Sequence, residues 1–160
     1  MNKSSFLIIL AFLCANFPIS HARNTTPQIS ISNESKITIK TENGTHTYHL
    51  NQKISQAKAN CRKNNVLVWG SPKKTSNEAP QAAYLSLIEI RKKKVIYSGI
   101  LGGGVREVRY PRSGDWALIH TNLSFFINLK TGARKYASES YDPESFSEET
   151  CDGMPVINAK

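Results

Sequence analysis

Acidic residues are scarce in this chain. Asp and Glu number 12 against 21 Lys and Arg in 160 residues, a formal net charge of +9. Such a balance is compatible with an anionic partner, and equally with an acidic segment that lies back on a basic body. Long hydrophobic runs are scarcer still. Only Phe6–Ala15 (FLIILAFLCA) is unbroken, and it is too short for a membrane span, which needs roughly 20 apolar residues. Cysteine is limited to three residues, Cys14, Cys61 and Cys151. Serine in a G-x-S-x-G turn is missing, so the usual nucleophile elbow is excluded. A sustained helical period is missing after the first segment, which argues against an α/β fold.

The N-terminal segment reads as an export signal. Lys3 supplies a short positive start and Phe6–Ala15 an apolar core. Pro18 breaks the helix, and Ser20-His21-Ala22 sets small residues where a signal peptidase reads. Cleavage after Ala22 is expected, with residues 1–22 removed as a signal helix. The product is then expected to have no transmembrane anchor and to lie in the periplasm or outside the cell. Residues 23–160 then make one domain-sized unit. In that compartment Cys61 and Cys151 are expected to form a disulfide. The loop they close would stabilise the fold by about 4–5 kcal/mol on chain-entropy grounds, less any strain.

Charge is distributed unevenly. Residues 23–137 carry 19 Lys and Arg against 6 Asp and Glu, a basic body. Residues 138–160 carry 6 acids and one base, an acidic tail that Cys151 would tie down.

Alternation dominates the body. KITIKT and THTYHL flank Glu42-Asn43-Gly44, a strong hairpin signal, giving strands at 36–41 and 45–50. Ile29 and Ile31 alternate with serines and suit a short strand before them. Ile54, Ala57 and Cys61 fall at i, i+3 and i+7, which predicts one short helix at 53–63. Val66–Trp69 reads as a short buried strand. Strands at 82–90 and 94–101 flank Arg91-Lys92-Lys93. Further strands follow at 105–110, 116–121 and 124–129, and a last one begins at Arg134. Phe125, Ile127 and Leu129 share one face. The fold class is therefore mainly β: a small antiparallel sandwich, meander or barrel with one short helix. The stretch from Ser113 to Gly132 has the look of a single propeller blade. The chain is too short for a ring of blades, however, and shows no second copy.

Candidate chemistry is thin. His46 and His49 form H-x-x-H, but residues three apart on a strand point to opposite faces. With His120 the one other histidine after the signal, no zinc set can be filled. Gly102-Gly103-Gly104 precedes a strand rather than a helix, so it is read as a bend and not a phosphate loop. Glutamates Glu139, Glu144, Glu148 and Glu149 could supply paired carboxylates, but they lie in the tail. No catalytic residue, cofactor or metal is expected. N-x-S/T triplets begin at Asn24, Asn33, Asn43 and Asn122. Arg91, Lys92, Lys93 and Lys94 at a hairpin tip, with Arg106 and Arg109 on a strand, are the candidate anion or partner surface. Lysines at strand ends also discourage edge pairing, which is the plainer account of that run.

The functional expectation is an exported, non-enzymatic binding protein that acts through a rigid basic β-surface, in the manner of a periplasmic inhibitor or immunity protein. Its partner would be an acidic protein or an anionic envelope surface, and not nucleic acid. A small secreted hydrolase with an unfamiliar site is the alternative.

Overall fold

A computed structural model describes residues 26–74, 81–111, 114–137 and 155–159. The expected signal helix, the cysteine at 151 and most of the acidic tail lie outside these described residues. Among the described residues the structure is all β, in three antiparallel sheets.

The chain forms the sheets in order. Strands β1 (Gln28–Asn33), β2 (Lys36–Thr41) and β3 (Gly44–His49) make a three-stranded meander. Strands β4 (Gln52–Ala59), β5 (Asn65–Pro72), β6 (Ala83–Glu89) and β7 (Lys94–Leu101) make a second. Strands β8 (Glu107–Arg109), β9 (Trp116–His120), β10 (Phe125–Asn128) and β11 (Arg134–Tyr136) make a third. The end of the tail returns as β12 (Ile157–Asn158) and pairs with the edge of β4, giving the middle sheet the order β12-β4-β5-β6-β7. Among the described residues no sheet closes on itself.

The middle sheet is apolar on both faces because it is covered on both. Val66, Val68 and Ile88, with Ile54 of the same sheet, pack against Ile37 and Ile39 of the first sheet and Leu50 of the junction. Leu67, Trp69, Leu85 and Leu87 pack with Val108, Ala117, Ile119, Phe125 and Ile127 of the third. A strand covered on both sides loses its alternation and reads as a continuous apolar run, as VLVW does. At β10, covered on one side, the alternation survives. Phe125, Ile127 and Leu129 are buried, and Phe126 and Asn128 are half-exposed.

The expected helix at 53–63 is not formed. Residues 52–59 are strand β4, and residues 60–64 are the turn into β5. A bulge produced the misleading spacing. Ile54 pairs with Gly70 and Gln56 with Trp69, so Ser55 is the extra residue. An extra residue shifts the side-chain phase by one. Ile54 and Ala57, three apart, therefore face the same core, just as they would on a helix.

The sheets are also stitched by polar groups. The buried Tyr110 hydroxyl donates to the Lys58 carbonyl at 2.7 Å, and Lys58 Nζ donates to the Val108 carbonyl at 3.0 Å. Asn65 Nδ2 donates to the Leu129 carbonyl at 2.9 Å. Each bond joins the middle sheet to the third.

A cationic concavity at one end of the sandwich

Two hairpin tips lie side by side at one end of the middle sheet. The β4–β5 tip is Asn60-Cys61-Arg62-Lys63-Asn64, and the β6–β7 tip is Ile90-Arg91-Lys92-Lys93. Both close in the same way. The Lys63 amide donates to the Asn60 carbonyl at 2.9 Å, and the Lys93 amide to the Ile90 carbonyl at 3.2 Å. Lys63 (φ 55°) and Lys93 (φ 54°) are both left-handed. That conformation costs a non-glycine residue about 1–2 kcal/mol. They are the only such residues among those described.

The first tip is clamped by its own side chain. Buried Asn60 accepts through Oδ1 from the amides of Asn64 and Asn65, each at 3.0 Å, and its Nδ2 donates to Asn64 Oδ1 at 2.6 Å. The Ile90 amide donates to the Asn64 carbonyl at 2.8 Å and locks the second tip to the first. The β2–β3 turn, with Gly44 at φ 114°, comes to the same end. The buried ring of Pro27, just before β1, lies there too.

Together these segments enclose a half-open cavity of about 790 Å³. Among the described residues, Arg62, Lys63, Arg91 and Lys93 line it, with Glu42 the one carboxylate. The remaining described lining is Thr41, Asn43, Cys61, Asn64, Ile90 and Pro27, with no aromatic ring among these residues. The guanidinium of Arg62 lies against Gly114, where an added Cβ would sit 2.7 Å from its Cζ. Lys63 Nζ donates to Thr26 Oγ1 at 2.6 Å.

The structure thus divides the six expected surface cations. Arg91 and Lys93 line the cavity. Lys92 turns to Glu89 at 3.0 Å, and Lys94 begins β7 opposite Glu89. Arg106 donates to Asn122 Oδ1 at 3.1 Å. Arg109 pairs with Glu107 at 3.0 Å along β8, and that hydrogen bond is the main reason the Glu107 carboxyl is held below its ordinary pKa. Neither Arg106 nor Arg109 lines the cavity. Arg62 and Lys63 do, and the helix expectation hid them. Their signal was the Asn60–Asn65 cluster of turn formers between two apolar stretches. Cys61 is disulfide-bonded and lines the same cavity.

A second, smaller concavity of about 280 Å³ lies where β7, β10 and β11 meet the Gly102-Gly103 bend. Exposed Ile100, Leu123 and Tyr136 rim it. Arg134 stacks near the rings of Tyr97 and Phe125 at 5.5 and 5.7 Å. Among the described residues no group of three His, Cys, Asp or Glu could hold a metal ion. No helix among them is long and apolar enough to cross a membrane. His46 and His49 lie three apart on β3. Comparison with protein-family models, with curated proteins and with solved structures finds no match for this chain.

Proposed function

We propose that this is an exported, non-enzymatic binding protein that docks an anionic partner at the cationic end of its sandwich. The partner is an acidic protein or an anionic envelope polymer, and an inhibitor of an exported enzyme or toxin is the concrete form. One observation carries the reading. Arg62, Lys63, Arg91 and Lys93 converge on one cavity from two tips that the Ile90–Asn64 bond holds together. Two lysines in left-handed turns at the same cavity add to it, because strained backbone is tolerated where the surroundings enforce it and gathers at functional sites. Cations on a rigid frame lose little entropy on binding and steer an acidic partner into register.

Export rests on the leader at residues 1–22. The disulfide of Cys61 is assigned to Cys151, since Cys14 leaves with that leader. The link would tether the acidic tail beside the cavity.

The experiment is a pull-down from periplasmic extract with the mature chain, comparing the parent with the Arg62→Gln/Arg91→Gln double variant. One stoichiometric partner is expected, retained at low salt, released by high salt and lost with the variant. Recovery of no partner at low salt, or equal recovery by both chains, overturns the reading.

A further inference from the structure

We infer that the free edge of β11, with the smaller concavity beside it, takes one extended strand of a partner protein, apolar at one residue and acidic at the next two. None of the residues involved lines the cationic cavity. β11 ends the third sheet, in the order β11-β10-β9-β8, and among the described residues no strand pairs with its outer side. Two bonds fix the phase of that edge. The Asn128 amide donates to the Ala133 carbonyl at 2.8 Å, and the Ala137 amide to the Ser124 carbonyl at 3.0 Å. Antiparallel pairs alternate between bonded and non-bonded, so Lys135 bonds to Phe126 while Arg134 and Tyr136 turn their N–H and C=O groups outward. Directly paired residues share a face. Arg134 and Tyr136, opposite Ile127 and Phe125, therefore lie on the side that meets the middle sheet.

The apolar requirement comes from the concavity. Four large apolar side chains are exposed among the described residues, and three of them, Ile100, Leu123 and Tyr136, rim it. Scattered exposure is ordinary, whereas apolar side chains gathered at one place mark a contact surface. At about 280 Å³ the concavity falls just below the range of small-molecule sites, roughly 300–1,000 Å³, and suits a side chain of a peptide. A strand added to β11 sets the side chain opposite Tyr136 over it.

The acidic requirement comes from the edge. Arg134 and Lys135 stand next to each other on β11, both exposed, and no described carboxylate pairs with either. The rings of Tyr97 and Phe125 steady the Arg134 guanidinium. A second copy of this edge would set cation against cation, which opposes self-pairing. An antiparallel acidic strand meets both with opposite sign, its acids opposite Lys135 and Arg134 and its apolar residue opposite Tyr136. Main-chain bonds then give affinity, and the concavity gives specificity.

The test is an NMR titration of the isotope-labelled, oxidised mature chain with the peptide acetyl-TTLEETT-amide. Amide exchange at Arg134 and Tyr136 is expected to be fast in the free chain and to slow when the peptide binds. N-methylation of the leucine and second glutamate amides, which face β11, should weaken binding about fivefold or more. N-methylation of the first glutamate, which faces away, should change it less than about twofold. Lysines in place of the two glutamates should cost about tenfold, and serine in place of the leucine about fivefold. On the protein, Tyr136→Ser should weaken binding about fivefold and Lys135→Glu about threefold. Lys40→Glu, the same charge change on β2, should move it less than about twofold. No binding overturns the inference. So does equal loss from the two N-methylations, or a lysine peptide that binds as well. Slow exchange at Arg134 and Tyr136 in the free chain also overturns it, because the edge is then already held. Protection that grows with concentration would assign it to a second copy, and protection that does not would assign it to the acidic tail of the same chain.

Discussion

The Ile90 amide donates to the Asn64 carbonyl at 2.8 Å, so the tip of one hairpin is fastened to the tip of the next. Neither residue carries charge. Their bond nevertheless sets how far Arg62 and Lys63 stand from Arg91 and Lys93. Hairpin tips are ordinarily the loosest parts of a sheet. Here the first is braced from within by Asn60, and the second leans on the first, so four long cationic side chains rise from a fixed base.

Asn60→Ala should therefore destabilise the fold and loosen both tips. The substitution removes the acceptor for the amides of Asn64 and Asn65, and Asn65 is buried. A buried donor left unpaired costs about 1–3 kcal/mol. Urea denaturation should show a loss in that range, and hydrogen exchange at Asn65 and Ile90 should speed up. An unchanged midpoint with unchanged exchange would show that the clamp is dispensable.

Tyr110→Phe tests the stitch between sheets. The phenol is buried, and burial pushes its pKa well above the ordinary 10. It stays protonated and donates to the Lys58 carbonyl. Removing the hydroxyl leaves that carbonyl without this donor, at about 1–2 kcal/mol. In the parent, alkaline titration should leave one tyrosine un-ionised until the chain unfolds. A Tyr110 that titrates near 10 in folded protein would contradict the burial.

Glu107 gives a pH dependence of known sign. The Arg109 hydrogen bond is the largest cause that lowers its pKa from the ordinary 4.5. A carboxyl depressed in the folded state stabilises the fold above 4.5, and this contribution fades as pH falls through the folded value. NMR titration should place Glu107 below 4.5, and Arg109→Gln should move it up. Both side chains are part-exposed, and screening by solvent keeps the effect on stability small. A Glu107 midpoint that does not respond to Arg109→Gln would mean the contact is not made in solution.

Much of the architecture was legible because alternation reports burial directly where only one face is covered. That condition holds for β2, with Ile37 and Ile39 buried, and for β10. Alternation failed at β4, where the Ser55 bulge puts Ile54 and Ala57 on one face and mimics a helix. It could not announce β12 either, since a two-residue strand is dictated by the edge it meets, here Ala57 and Gln56. The cavity was half legible. A run of four cations at a predicted tip flags Arg91 and Lys93. The arrival of Arg62 and Lys63 beside them is a matter of sheet order, in which β4–β5 and β6–β7 turn at the same end, and local pattern does not carry that.

The bulge itself can be tested through the residue opposite it. Gly70 pairs with Ile54, immediately beside the inserted Ser55. A Cβ at position 70 would overlap the Lys53 carbonyl oxygen and lie 2.7 Å from the Ser55 amide nitrogen. Both obstacles are backbone atoms of a paired strand, so no rotamer change can relieve them. Gly70→Ala should cost about 3 kcal/mol or more, at the upper end for overpacking. Gly102→Ala is the control, because a Cβ there meets nothing within 4 Å. That variant should stay within about 0.5 kcal/mol of the parent. Thermal melts of the two side by side separate the explanations. A general intolerance of alanine for glycine would lower both, whereas a bulge pressed against Gly70 lowers only the first. If Gly70→Ala melts with the parent, β4 is regular in solution, and the shared face of Ile54 and Ala57 needs another cause.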